Sequence, residues 1–529
     1  MNSAYSTWKE ALHDTSEAQI LEKMTREEIA DAFSGNISFG TGGLRGVMGL
    51  GTNRLNRYTI ERVTHGLAKT ILCSDVPKSV GVAFDTRHNS HEFAVLVCET
   101  LSAFGIEVYT FDSPVPTPTL SHAIRLLGLG WGVVLTASHN PQEYNGYKVY
   151  DKHGVQLTDK MAAKVTEAIN TVEFFEPIPE KQNTLIKPIS KEITEAYLEQ
   201  IISFAENDEA DQSLKIVYTA LHGAGASMVP DVLERMGFSP TYVQLDPDGA
   251  FGGLKTPNPE EPVVYEKALS QAKKMGADIL LATDPDCDRV GVMVKTEPGF
   301  ELVTGNQIGA LLIDYLAAIK GVSEGDTVIS TIVSGALGEA VAKCCGLGFV
   351  RLLTGFKYIG ECIVNLQNDK RFFFGYEESY GYLAGVGAKD KDAVLASALI
   401  VKMAAFYHKK GMTLLDRWIQ LSEKYGYHLE NLHSVGATKQ KQSEIMERFR
   451  NNAASIGVTR VDDYAAGFEG LPPANVIKLH FEDGSWAAIR PSGTEPKIKV
   501  YAGVCAKTHE AAEILLKTLT NKLLSELGV

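Results

Sequence analysis

Apolar residues along the chain follow two alternating rhythms. Short β-branched runs give way to stretches whose apolar positions fall three and four apart, the pattern of strands feeding helices. Three segments repeat one grammar of strand, small-residue turn, helix and strand. The first predicts a strand over 79–85, apolar at Val80, Val82 and Phe84, then a helix over 92–104 and a strand over 107–111. The second predicts a strand over 214–219, a turn at 222–225, a helix near 228–236 and a strand over 241–245. The third predicts a strand over 327–332, a turn at 334–335, a helix near 338–345 and a strand over 349–353. Such units build parallel sheets with helices packed on them.

Each unit is followed by a further helix and a further apolar strand that ends in a polar loop. The strand over 132–135 runs into Thr136-Ala137-Ser138-His139-Asn140-Pro141. That over 278–282 runs into Thr283-Asp284-Pro285-Asp286-Cys287-Asp288-Arg289, and that over 371–374 into Gly375-Tyr376-Glu377-Glu378-Ser379. Ligands of open α/β sheets bind at the carboxyl ends of strands, so these loops are candidate sites. The tail differs: strands over 476–481 and 486–490 flank the turn Glu482-Asp483-Gly484, followed by a loop over 491–496, a strand over 498–503 and a helix over 509–524. The expectation is an α/β chain: three similar mixed or parallel-sheet α/β domains plus a smaller C-terminal α+β domain around one central cleft. Junctions near 184–190, which contains Pro188, and near 424–436 divide the chain into domains at 1–190, 191–303, 304–424 and 425–529.

Composition narrows the function. Across 529 residues, 51 Lys and Arg against 65 Asp and Glu give a net charge of −14, which disfavours a nucleic-acid partner. Seven cysteines form an odd set without zinc spacing, unlike a secreted disulfide framework. The first residues, among them Trp8, Lys9, Glu10, His13 and Asp14, contain no apolar leader, and no apolar run reaches the roughly 18 residues of a membrane span. The expectation is a cytoplasmic protein with no membrane partner.

The strand-end loops carry the chemistry. Asp284, Asp286 and Asp288 alternate just past an apolar run and can converge on one hard cation only if the loop turns. A calcium loop of the EF-hand type is excluded, because its glycine and glutamate positions hold Arg289 and Lys295. Three carboxylates with open coordination suit Mg²⁺, which commonly also takes phosphate oxygens. Haloacid-dehalogenase-like phosphatases also use paired aspartates after a strand, so the triad alone leaves the reaction open. Ser138 alone would read as a capping or turn residue, but a hydroxyl facing a cation suits phosphoryl transfer. Lys148 offers a charge in what reads as the same loop, and His139 reads equally as a structural hydrogen-bonder or a base. Arg490-Pro491-Ser492-Gly493-Thr494 joins a strand end to a loop with a guanidinium, two hydroxyls and backbone donors, a set suited to a phosphate dianion. The glycine-rich stretch Gly40-Thr41-Gly42-Gly43-Leu44-Arg45-Gly46 reads as a loop whose Arg45 meets an anion. No Walker or dinucleotide fingerprint supports nucleotide chemistry.

Taken together, the four loops in this order resemble the α-D-phosphohexomutases, the phosphoglucomutase and phosphomannomutase family, over nearly the whole chain from about Ile37. The start from Phe39 to Gly46 is most similar to the bacterial branch related to phosphopentomutases. The resemblance implies a phosphorylated Ser138, Mg²⁺ on Asp284, Asp286 and Asp288, and active-site charges from Arg45, Lys148 and Arg289. It implies that Glu377 and Ser379 bind sugar hydroxyls and that Arg490, Ser492, Gly493 and Thr494 hold the non-reacting phosphate. It further implies conversion of glucose 1-phosphate to glucose 6-phosphate through glucose 1,6-bisphosphate, with Mg²⁺ as cofactor and small sugar phosphates as partners. Related alternatives are mannose or pentose phosphates, bisphosphate synthesis, or silent sugar-phosphate binding. Two positions depart from the family pattern: Pro285 stands where a glycine is usual, and Gly381 where one branch carries histidine. The pair Lys391-Asp392 instead resembles the glucose-type branch, which implies Lys391 as general acid/base, with Lys389 competing for that alignment.

Overall fold

The computed structural model describes residues 3–40, 43–385, 387–492 and 497–528. Two compact units form. One comprises the chain up to Leu302 together with Gly360–Asn365 and Gly381–Phe406; the other comprises Val303–Ile359, Leu366–Tyr380 and the chain from Tyr407 onward.

The first unit contains two sheets. In one, β1 (Gly43–Val47), β2 (Ser79–Phe84), β3 (Glu107–Thr110), β4 (Trp131–Leu135), β5 (Tyr144–Asp151) and β6 (Ile186–Pro188) take the order β1-β5-β4-β2-β3-β6. In the other, β7 (Ile216–Thr219), β8 (Thr241–Val243), β9 (Ile279–Thr283), β10 (Val290–Lys295) and β11 (Phe300–Val303) take the order β11-β10-β9-β7-β8. The first strand of each repeat is central, flanked by its second and third strands in parallel. An antiparallel strand then covers the outer side of the third. The central strands β2 and β7 are buried at every position, as continuous apolar runs between helical layers require.

The second unit repeats the motif with β12 (Asp326–Thr331) between β13 (Gly348–Leu352) and β14 (Arg371–Tyr376), again parallel. β15 (Tyr382–Ala384) belongs to the first unit. The tail forms an antiparallel sheet of β16 (Tyr427–Gly436), β17 (Val458–Asp463), β18 (Ile477–Phe481), β19 (Trp486–Pro491) and β20 (Lys497–Ala506), in the order β16-β20-β19-β18-β17. Its own core packs Ile477, Ile489 and Val500 of the sheet with Phe449 and Leu523 of the helices Lys439–Asn452 and His509–Leu527. Three α/β modules and a C-terminal α+β module are therefore present, as the sequence predicts.

Local expectations change in three places. The glycine-rich stretch expected as a loop contains β1, paired antiparallel with β5 in the register Gly43 to Lys148 and Arg45 to Gly146. Glycine is needed at 43 because a Cβ there would lie 2.4 Å from the Tyr147 carbonyl oxygen. Lys148 accordingly lies on a strand rather than in the Ser138 loop. The junction expected at 424–436 is largely β16, which pairs with β20 along its whole length. The junction at 184–190 contains the edge strand β6, where Pro188 needs no partner for a donor it lacks. Among the described residues no helix is long and apolar enough to cross a membrane.

Three helices the sequence reading did not anticipate, Ser3–Ala11, Ser16–Lys23 and Arg26–Ala32, open the chain. Trp8 anchors them edge-on to Phe33, Tyr58, Phe174 and Phe175, at centroid distances of 5.6, 5.3, 5.3 and 5.3 Å. Trp8→Ala is expected to destabilise the fold by about 3–5 kcal/mol, seen by calorimetry as a lower first unfolding transition.

Candidate active site

The site grows from two strand ends of the first unit. β4 ends at Leu135, and the chain then turns so sharply that Ser138 adopts a left-handed φ of 51°. The Thr136 hydroxyl accepts the Ser138 N–H at 2.8 Å, fixing that turn. Arg87, after β2, binds the same loop from beneath. Its guanidinium donates to the carbonyls of Ser138, Asn140, Pro141 and Tyr144, and its face lies 4.8 Å from the Phe251 ring centre. The result is a buried Ser138 whose Oγ donates to Asp284 Oδ2 at 2.8 Å and lies 3.1 Å from His139 Nδ1. Burial, and then the guanidinium groups of Arg289, Arg45 and Arg87, push the His139 imidazole well below its ordinary range. Arg45 reaches the loop from β1, donating to Asn140 Oδ1 at 2.7 Å.

Asp284 follows β9. The N–H groups of Asp288 and Arg289 both donate to its Oδ1, at 3.1 and 2.9 Å, so the loop closes on its own first carboxylate. Cys287 takes a left-handed φ of 52° within that turn. One oxygen from each of Asp284, Asp286 and Asp288 then lies within 4.8 Å of the others, with all three side chains buried. The outer oxygens are held by cations and a hydroxyl. Lys148 donates to Asp286 Oδ2 at 2.7 Å and to Asp288 Oδ2 at 3.2 Å, Lys391 lies 3.2 Å from Asp288 Oδ2, and Thr117 Oγ1 donates to Asp286 Oδ2 at 3.1 Å. Asp286 Oδ1 and Asp288 Oδ1 are buried without a hydrogen bond. Two unbonded buried carboxylate oxygens, with a third carboxylate in reach, fit a hard divalent cation.

Electrostatics divide the triad. Burial, then Asp286 and Asp288, lift Asp284 well above the usual carboxylate range. Burial also opposes the charge on Asp288, but Lys391, Lys148 and Arg289 outweigh it and hold that carboxyl far below the usual range. For Lys148, burial works against the charge, and Asp286 and Asp288 more than restore it. Arg289 itself pairs with Glu260 at 2.7 Å.

The remaining candidates lie in the second unit. Glu377, buried after β14, accepts the Gly355 N–H at 2.9 Å, and Ser379 is half-buried two residues on. The neighbouring Glu378 accepts from the hydroxyls of Thr331 and Ser334. Arg490 lies near the end of β19 opposite Lys499, and the Ser492 N–H donates to the Lys497 carbonyl at 2.8 Å. Gly493 and Thr494 lie outside the described residues.

Family models for phosphoglucomutase/phosphomannomutase match the chain in sequence order: α/β/α domain I at residues 36–176, domain II at 195–299, domain III at 304–425 and the C-terminal domain at 439–519. The chain belongs to the phosphoglucomutase/phosphomannomutase family. It is similar to the phosphoglucomutase of Staphylococcus epidermidis, with 34% identity over 94% of this chain and 96% of that one. In fold it is similar to the open form of the Paramecium phosphoprotein parafusin, a phosphoglucomutase (TM-score 0.72, 17% identity, 94% of this chain and 96% of that one). It is also similar in fold to an N-acetylphosphoglucosamine mutase of Aspergillus fumigatus solved with GlcNAc-6P and magnesium (TM-score 0.54, 14% identity, 99% and 100%).

Of the two lysines, Lys391 lies 3.2 Å from Asp288 of the triad, and Lys389 is pushed down to about 8 by burial and the nearby Arg125. The Lys391 N–H donates to Asp390 Oδ1 at 2.8 Å, and the Tyr150 hydroxyl holds the other oxygen of that carboxylate at 2.7 Å. The side chain passes over Gly381, where a Cβ would lie 2.2 Å from Lys391 Cδ. Sequence reading missed Arg87, Thr117, Tyr150 and Asp390. The only signal for Arg87 is its place after the first strand end of the first repeat.

Two outcomes follow from this geometry. Gly381→Ala is expected to lower mutase turnover by about a hundredfold through a displaced Lys391, and to add nothing in a Lys391→Met background when both are assayed as a double-mutant cycle. Asp288→Ala leaves two buried lysines short of a counter-charge, and its thermal unfolding should show a loss of about 3–5 kcal/mol.

Proposed function

We propose that this chain is a phosphoglucomutase that interconverts α-D-glucose 1-phosphate and glucose 6-phosphate. The observation that carries this reading is the 2.8 Å hydrogen bond between Ser138 Oγ and Asp284 of a buried aspartate triad. A hydroxyl held against carboxylates that suit a divalent cation is an arrangement for moving a phosphoryl group. The name carried by curated relatives at 34% identity supports the choice of glucose.

In the reaction we assign, Ser138 is phosphorylated in the resting enzyme. A free hydroxyl of the hexose monophosphate attacks that phosphorus: the sugar O–P bond forms, the serine O–P bond breaks, and glucose 1,6-bisphosphate results. The intermediate reorients, and its other phosphate returns to Ser138. Asp284, Asp286 and Asp288 would hold Mg²⁺, which when bound neutralises charge on the transferring group. Lys391 exchanges the proton of the reacting hydroxyl, while Arg45, Lys148 and Arg289 stabilise phosphate charge. His139, with its depressed basicity, hydrogen-bonds Ser138 rather than serving as the base. Glu377 and Ser379 take the sugar hydroxyls, and Arg490, Ser492, Gly493 and Thr494 take the non-reacting phosphate. The enzyme then works on small sugar phosphates in the cytoplasm, with domain boundaries near 190, 303 and 424.

Intact-mass spectrometry of the purified protein should show one added phosphoryl group that disappears on incubation with glucose 1-phosphate as a bisphosphate forms. Ser138→Ala should carry no such group and lose activity by at least about a thousandfold. Chelation should abolish turnover and Mg²⁺ restore it. Faster turnover of mannose 1-phosphate or ribose 1-phosphate than of glucose 1-phosphate would overturn the choice of sugar.

A further inference from the structure

The second unit contains a cavity of about 330 Å³ that the proposed reaction does not use. Its walls come from the β12–β13 module on one side, through Ile332, Glu339 and Arg351, and from the C-terminal sheet on the other. Lys478, on β18, lines it although the residue is only 8% exposed. Among the described residues its ammonium group has one hydrogen-bond acceptor, the Ile332 carbonyl at 2.7 Å, and it lies 4.7 Å from the Trp486 ring centre. No carboxylate of the described residues lies within ion-pair distance of it, in contrast to the buried Lys148 and Lys391, each of which has one within 3.2 Å.

Among the other charges around the cavity, Glu339, Arg351, Asp462 and His480 are engaged with one another or with neighbouring groups, while Glu469 lines it as an exposed carboxylate. Arg351 binds Glu339 at 2.9 Å and the carbonyls of Thr331 and Ser334 at 3.0 and 2.9 Å. Asp462 is taken up by His480 at 2.6 Å and by Arg460 at 3.0 Å. Arg460 directs Nε and Nη2 toward Asp462 and His480, and its side chain is otherwise largely exposed. The cavity therefore offers two cationic groups with unused donor capacity, the Lys478 ammonium and the Arg460 guanidinium, beside an apolar wall of Tyr464, Phe468 and Leu471. Burial, with Arg351 adding to it, pushes the Lys478 ammonium down to about 7, more than the carboxylates of Asp462 and Glu339 restore.

We propose that this cavity is a second ligand site, which takes a small phosphate monoester with its phosphate on Lys478 and Arg460 and its organic body against Tyr464, Phe468 and Leu471. Two cationic donor groups call for a ligand with several anionic oxygens, and a phosphate monoester presents three. The volume lies at the lower end of small-molecule sites, which selects a one-ring ligand. The bound ligand would bridge the β12–β13 module and the C-terminal sheet, joining two segments now linked there by Lys478 and the Ile332 carbonyl.

The test is calorimetric titration of phenyl phosphate into the full-length protein carrying Arg490→Ala, which weakens the phosphate loop proposed for the substrate. Binding of one equivalent is expected, tighter than that of inorganic phosphate. Lys478→Met should weaken it about tenfold or more, while Lys478→Arg retains it. Arg460→Ala, at an exposed side chain that does not threaten folding, should also weaken it. Absence of binding up to about 10 mM, or affinity unchanged by both Lys478→Met and Arg460→Ala, would overturn the proposal. Those results leave the Ser138 reading untouched, since that reading uses neither Lys478 nor Arg460.

Discussion

Three carboxylates buried within 4.8 Å of one another repel, and the first unit is built around answering that repulsion. At an effective dielectric near 20 each such pair costs about 3–4 kcal/mol, and desolvation adds to it. Lys148 from β5, Lys391 from beyond β15 and the backbone N–H groups of the loop itself supply the compensation. The division of charge is uneven: Asp288 is bathed in cations, whereas Asp284 meets the serine hydroxyl and two amides. Two oxygens are left without hydrogen bonds among the described residues, and a divalent cation would complete what the lysines begin.

The same constraint explains why strands meet here. Lys148 reaches Asp286 and Asp288 because β5 runs antiparallel to β4, returning from the serine loop. Arg45 reaches the loop because β1 adds to β5 on the other side. Arg87 meanwhile spends its donors on backbone carbonyls of the serine loop, trading surface solvation for a rigid turn. On the reading proposed for Ser138, a hydroxyl that must meet a reacting phosphorus within a fraction of an ångström would benefit from such fixing.

Much of this was legible in the residues. The repeated βαβ grammar identified the three α/β modules because fully buried parallel strands are continuous apolar runs, and Asp284, Asp286, Asp288 and Ser138 stood out because their side chains are unusual after such runs. β1 and β5 were not legible: one is rich in glycine, and the other is buried on both faces, so neither alternates. β16 was read as a junction for a related reason, since its half-buried positions give no clear period. Arg87 left no mark because the carbonyls to which its guanidinium donates lie some fifty residues away and are backbone atoms. The placing of Lys391 beside the triad depends on Tyr150, Asp390 and the missing side chain at Gly381, none of which spacing reveals.

The chain leaves the first unit after Leu302 and returns to it only with Gly360–Asn365 and Gly381–Phe406. That interleaving has a consequence for biosynthesis. On the ribosome, the aspartate loop emerges about a hundred residues before Lys391 does, so its negative charge must wait, incompletely neutralised, for a late-arriving partner. A stop codon after Leu302 would therefore sever Lys391 and leave Lys148 and the loop amides as the compensation for the acidic centre.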